Sequence, residues 1–186
     1  MNTKDRVAVC SRSFSKNKIL REKLLSRYQH VKFNDEGLSL SGDTLKEFIL
    51  ESSKVLIGLE KIDSKMLEDL PNLKVISKYG VGIDMIDIPA LTKYGIHLGW
   101  TGGVNKRSVS ELVICFSLAL MRNLCKANNE VTSGVWNQYK GNLLSEKTFG
   151  IIGFGNIGRD IEKLLRPFDC EILVYDIANI DLKETS

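Results

Sequence analysis

The stretch Phe149 to Asp176, FGIIGFGNIGRDIEKLLRPFDCEILVYD, constrains this chain more than any other part of it. It reads as an apolar strand, a glycine turn, a helix, and a second buried strand ending in a carboxylate. Gly153, Gly155 and Gly158 form G-x-G-x-x-G. The first allows a tight turn, the second lets backbone approach a pyrophosphate, and the third lets the helix lie against the strand. Ile157, Ile161, Leu164 and Leu165 recur at helical spacing before Pro167 ends the helix. Such a helix turns its unpaired N–H groups and the positive end of its dipole toward the place where a phosphate would sit. Asp176 follows Gly158 by 18 residues, close to the roughly 20 expected of a carboxylate that accepts from a ribose 2′-hydroxyl. That carboxylate would repel a 2′-phosphate, and no arginine follows it to receive one, so NAD is favoured over NADP. Glycine turns also open helices in methyltransferases and in loops that bind nothing. The strand before this one and the helix after it are what point to a nucleotide.

Upstream, short apolar runs alternate with helical patterns. RVAVC, VKF, KVLIGL, LKVISKY and IHLGW are strand-like. KNKILREKLLSRY and DTLKEFILESS are helical, with Asp43 placed to cap the second. Alternation of this kind predicts βαβ units and a parallel sheet. The fold class is therefore α/β: a flavodoxin-like parallel-sheet domain over residues 1–100, then the start of a Rossmann domain over 101–186.

Composition excludes several classes. With 186 residues, 43% hydrophobic, 26% charged and a net charge of +3 spread without blocks, the chain reads as globular, with no basic stripe for nucleic acid. The N-terminus lacks a secretory pattern, and the longest apolar run, LVICFSLALM, is far short of a membrane span. A cytoplasmic protein is expected. Cys10, Cys115, Cys125 and Cys170 have neither C-x-x-C nor finger spacing, so buried free thiols are expected and no metal site.

Two features join the halves. Gly80-Val81-Gly82, in SKYGVGIDMID, falls just past the fourth strand, on the rim where open α/β sheets bind ligands. Its backbone N–H groups could hold a carboxylate, or the glycines could simply make a strand-to-helix turn. NKRSVSELVICFSLALMRNLCKA reads as one long helix from near Asn105, apolar around most of its circumference and so in need of burial on several sides.

The run from Lys74 to Asp176, with KVISKYGVGIDMID, the long helix and GIIGFGNIG in that order, resembles the D-isomer-specific 2-hydroxyacid dehydrogenases, the group that includes phosphoglycerate dehydrogenase. The resemblance implies a substrate domain first, then an NAD-binding domain. It implies hydride transfer between NAD(H) and C2 of a small 2-hydroxy or 2-oxo acid, and a homodimer. Gly80, Val81 and Gly82 match the loop that holds the substrate carboxylate, with Val81 also beside the nicotinamide. Gly153, Gly155, Asn156, Ile157 and Gly158 match the pyrophosphate turn, and Asp176 matches the adenosine-ribose carboxylate. Lys78 could meet a second anionic group such as a phosphate, or be a solvated lysine of the ordinary kind.

There are departures from the family pattern. LGWTGG stands where many members read nearer Asn-Thr-Pro-Gly, and Glu146 replaces a glycine before Lys-Thr. The family's substrate-orienting arginine, its acid and its general acid/base histidine all follow the second strand of the coenzyme domain. His30 and His97, the two histidines here, match no catalytic position. No catalytic residue is assigned, and these 186 residues alone are expected not to turn over. An NAD-responsive interaction module and a truncated remnant without a role stand as alternatives. Nothing in the sequence separates phosphoglycerate from glyoxylate or pyruvate as the substrate.

Overall fold

In the computed structural model, which describes residues 2–180, the chain divides into two compact units, Met1–Thr101 and Gly102–Ser186. The first holds β1 (Asn2–Val9), α1 (Arg12–Lys16), α2 (Lys18–Leu25), β2 (Tyr28–Phe33), α3 (Gly42–Ile49), β3 (Lys54–Ile57), α4 (Ser64–Glu68), β4 (Val75–Lys78), α5 (Ile88–Lys93) and β5 (His97–Gly99). Its five strands are parallel in the order β2-β1-β3-β4-β5, the flavodoxin-like order. Parallel neighbours need a crossover, and each connection here carries at least one helix. Val7, Ala8 and Val9 are all buried because β1 lies inside the sheet, where consecutive side chains on both faces meet apolar cover. Leu45 and Ile49 of α3 pack on Val55, Ile57 and Ile76 of the strands, all fully buried. Each such side chain contributes about 1.5–3 kcal/mol.

Local chemistry shifts some expected boundaries. The helix expected in KNKILREKLLSRY is α2, which starts at Lys18 because Asn17 leaves helical geometry and its side chain accepts from Leu20 N–H; the short α1 before it was not foreseen. Asp43 is not the cap of α3. Ser41 holds that position, with Thr44 Oγ1 accepting from Ser41 N–H, and Asp43 sits in the first turn, where its charge meets the positive end of the dipole.

The second unit holds α6 (Lys106–Met121), α7 (Leu124–Thr132), β6 (Thr148–Ile152), α8 (Asn156–Leu165) and β7 (Glu171–Tyr175). β6 and β7 are parallel, with Ile151 opposite Val174. Ile151, Phe154, Ile161 and Leu165 form the core, with Val113, Ile114, Leu118 and Met121 of α6 against it. The one long helix expected from Asn105 is broken. Asn123 takes a left-handed φ of 54°, and α7 leaves α6 at 63°. Asparagine tolerates that conformation and ends helices there. Within this single chain α6 leaves Leu112, Phe116 and Leu120 exposed along one stripe. No single described helix is long and apolar enough to cross a membrane.

The cysteines correct another expectation. All four are free thiols, but only Cys10 is buried, while Cys115 and Cys125 are exposed and Cys170 is half-buried. Burial pushes the Cys10 thiol far above its ordinary pKa, which makes it an inert packing residue.

Candidate functional site

The candidate site has two parts, one on each unit. In the second unit the chain leaves β6 at Gly153, whose φ of 92° is open to glycine and costly for other residues. Gly153 N–H donates to Tyr175 O at 2.8 Å, so the turn is tied to the end of β7. Phe154 then drops its ring into the core, and Gly155 caps α8 at φ −79° and ψ −152°. A Cβ on Gly155 would meet nothing within 4 Å, so this glycine is not required by packing. Gly158 is, because a Cβ there would lie 2.2 Å from Gly153 O. Asn156 opens α8 with its side chain against the backbone at Gly103, where a Cβ would come within 2.8 Å of it. Ile157 is exposed beside it, and Ile161 and Leu165 carry the buried face. Asn156 and Ile157 are thus both on the open side of the turn.

Asp176 follows directly on β7 and folds back onto the turn. Its Oδ2 accepts from Phe154 N–H at 2.5 Å and its Oδ1 from Ala178 N–H at 2.9 Å. These donors, Ala178 first and Phe154 next, hold its carboxyl below the ordinary aspartate range. A carboxylate has about four lone-pair sites and no proton to give. With one taken on each oxygen, Asp176 keeps acceptor capacity for a vicinal diol and remains repulsive to phosphate. Open space at Gly155, a helix N-terminus beyond it and a pre-set acceptor beside it fit the adenosine and pyrophosphate portion of a dinucleotide.

The lowered pKa has a consequence for acid stability. Because the folded pKa lies below the unfolded value, the contribution of Asp176 is complete above about pH 4 and is lost as pH falls through the folded pKa. The protection of the Phe154 amide against exchange is therefore expected to fall in that acid range in the wild type, and Asp176→Ala should show the unprotected rate at neutral pH. Equal rates for the two proteins at pH 7 would remove the tether.

In the first unit the site is the rim after β4. Gly80 has φ 131°, and among the described residues no protein acceptor is found for the N–H groups of Gly80, Val81 or Gly82. Three successive backbone donors are thus available to an anion. Lys78 is half-buried and holds the loop from below. Its Nζ donates to Gly58 O at 2.6 Å, and a Cβ on Gly80 would touch that ammonium at 3.0 Å. It links the rim after β3 to the rim after β4 and puts a positive charge under the loop. Gly58 N–H in turn donates to Glu60 Oε2 at 2.5 Å. Beside these lies a cleft of about 330 Å³ lined by Ser11, Arg12, Ser13, Gly58, Glu60 and Tyr79 among others, at the carboxyl ends of β1, β3 and β4. His30 and His97 sit exposed on β2 and β5. Among the described residues no group of three His, Cys, Asp or Glu side chains could hold a metal.

Two contacts went unforeseen in the sequence. Trp100 Nε1 donates to Val81 O at 2.9 Å, so the residue noted only as a departure in LGWTGG touches the rim loop. Arg107 of α6 pairs with buried Asp160 of α8 at 2.9 Å. An arginine and an aspartate 53 residues apart give no local signal of pairing.

The chain is similar to proteins of one family. The sequence model of the family described as "D-isomer specific 2-hydroxyacid dehydrogenase, catalytic domain" matches residues 7–175. A glyoxylate reductase of Thermofilum pendens is 43% identical over 124 residues, covering 63% of this chain and 37% of that protein. One from Thermococcus litoralis is 31% identical over 163 residues, covering 82% of this chain and 49% of its own length. A crystal structure from Polaromonas, described as a D-isomer specific 2-hydroxyacid dehydrogenase, NAD-binding, superposes with a TM-score of 0.85 at 25% identity, over 98% of this chain and 59% of that one. The chain thus spans half or less of the length of these curated relatives.

Proposed function

This chain belongs to the D-isomer specific 2-hydroxyacid dehydrogenase family, and we propose that it supplies the carboxylate-binding rim and the adenosine side of the NAD site in an enzyme of that chemistry. In the reductive direction a hydride leaves C4 of NADH for the carbonyl carbon of a 2-oxo acid, and a proton goes to the oxygen. NAD⁺ and a 2-hydroxy acid result. Gly80, Val81 and Gly82 N–H groups would hold the acid's carboxylate, with Val81 beside the nicotinamide. The turn from Gly153 to Gly158, including Asn156 and Ile157, would carry the pyrophosphate, and Asp176 the adenosine ribose. In this reading the first unit is the substrate half and the second the opening half of the coenzyme domain. Glyoxylate, hydroxypyruvate and 3-phosphoglycerate, the substrates in the names of relatives, define the size class.

The observation that carries the reading is Asp176 bound to the glycine turn through Phe154 N–H, which holds the ribose acceptor at the turn before any ligand arrives. The test is a fluorescence titration with NADH and NADPH on the wild type and on Gly155→Ala. NADH is expected to bind more tightly than NADPH. Gly155→Ala is expected to melt like the wild type, since its Cβ meets nothing, yet to lose NADH binding by tenfold or more, as a Cβ would then stand between backbone and pyrophosphate. Equal NADH affinity for the two proteins would overturn this reading, as would a wild type that does not bind NADH at all.

A further inference from the structure

Trp100 lies just past β5 (His97–Gly99), and the Gly80-Val81-Gly82 loop begins just past the neighbouring strand β4 (Val75–Lys78). Both segments leave the same edge of the sheet, side by side. The Trp100 indole has one polar atom and it is a donor. That donor is spent on Val81 O at 2.9 Å. The carbonyl of Val81 and the N–H of Gly82 belong to one planar trans peptide, so they point in opposite directions. Fixing the carbonyl on the indole therefore fixes the Gly82 N–H on the other side, away from Trp100. With no residue on the loop between Gly80 and Gly82 having helix or strand bonds to hold it, and glycine free to turn over at two of its three positions, the peptide would otherwise be free to rotate.

We propose that Trp100 is a positioning residue of the substrate rim: its indole N–H locks the Val81–Gly82 peptide so that the Gly82 N–H faces the carboxylate of a small 2-oxo acid. This rests on the reading that the Gly80–Gly82 donors hold a carboxylate. Lys78 supports the loop from the other end, its ammonium lying against Gly80. The two residues act differently, since Lys78 contributes charge under the loop and Trp100 contributes direction to one donor. Replacing the indole by a phenyl ring keeps an aromatic six-membered ring and deletes the N–H with the rest of the pyrrole ring, so the donor-specific readout below separates the two losses. Trp100 is 44% exposed, so the substitution does not open a cavity in the core.

The test is amide NMR on the ¹⁵N-labelled chain with oxalate as the probe. In the wild type the Trp100 indole N–H should exchange with solvent more slowly than that of the exposed Trp136, and oxalate should shift the Gly80 and Gly82 amides together. In Trp100→Phe, with the melting of the first unit unchanged, oxalate should bind about fivefold to tenfold more weakly, as expected for the loss of one hydrogen bond. The Gly82 shift should shrink while the Gly80 shift persists, a selectivity that general loosening would not produce. Trp100→Phe binding oxalate as tightly as the wild type, with the same Gly82 shift, would overturn the role of Trp100 and leave the carboxylate rim standing. An indole N–H that exchanges as fast as that of Trp136 would overturn it without any variant. Oxalate that moves neither amide in the wild type would overturn the carboxylate rim itself, and this inference with it.

Discussion

Replacing Gly158 with alanine is expected to destabilise the second unit by about 3 kcal/mol, the upper end of the usual cost of overpacking, and to abolish NADH binding. The new Cβ would sit 2.2 Å from Gly153 O and 3.2 Å from Ile151 Cγ2. The first of these is backbone, and it cannot retreat cheaply. Gly153 is bound through its N–H to Tyr175 O and holds a left-handed φ that starts the turn. The strain must then be relieved by lifting α8 from β6, which separates Ile161 and Leu165 from Ile151 and Phe154 in the core of this unit. Gly150→Ala is the matched control, because a Cβ on that strand residue meets nothing within 4 Å. Differential scanning calorimetry on both variants is the measurement. Gly158→Ala should lower the transition of residues 102–186 and leave that of the first unit in place, while Gly150→Ala should move neither by much. A Gly158→Ala protein melting like the wild type would show that the helix and the turn do not touch as described.

Arg107→Ala is expected to cost the same unit about 2 kcal/mol. Asp160 has a side chain only 5% exposed, and among the described residues its Oδ2 has no hydrogen-bond partner. Among the described residues the compensation for its charge comes from Arg107 alone, through Oδ1. Removing one member of a fully buried pair typically costs 3–5 kcal/mol. Here Arg107 is 52% exposed, and water replaces part of what it supplies, hence the smaller figure. The direction of the effect is specific to a stranded charge. Asp160→Leu combined with Arg107→Ala should recover most of the loss, since two apolar groups leave nothing unsatisfied. Urea denaturation of the four proteins of this cycle gives the coupling. A double variant as unstable as the two single losses added together would mean that the pair contributes packing and no electrostatics.

The sequence was most legible where one residue type has one physical use. Three glycines in G-x-G-x-x-G and an aspartate at the end of the following strand could be placed on a turn and beside it without coordinates. The parallel sheet was equally legible from strand and helix alternation. Legibility failed where the outcome was a balance. An apolar run from Leu112 to Met121 says helix but not where helix stops, and the stop is decided by Asn123 turning left-handed rather than by any loss of periodicity. Cysteine burial was misjudged because a thiol is compatible with either environment. Asp43 and Ser41 could both cap α3, and two residues of register decided between them.

The site residues divide in the same way. By itself the sequence determined the α/β class, the positions of the loop after β4 and of the glycine turn, and the carboxylate at the end of β7. Each follows from local periodicity, or from a conformation or charge that a single residue imposes on its neighbours. The tertiary structure alone decided what the long side chains hold. Lys78 proved to donate to Gly58 O, Trp100 to reach across from β5 to Val81 O, and Arg107 to meet Asp160. Their partners lie 19 to 53 residues away in sequence. Only the packing of strands and helices brings such atoms within hydrogen-bonding distance.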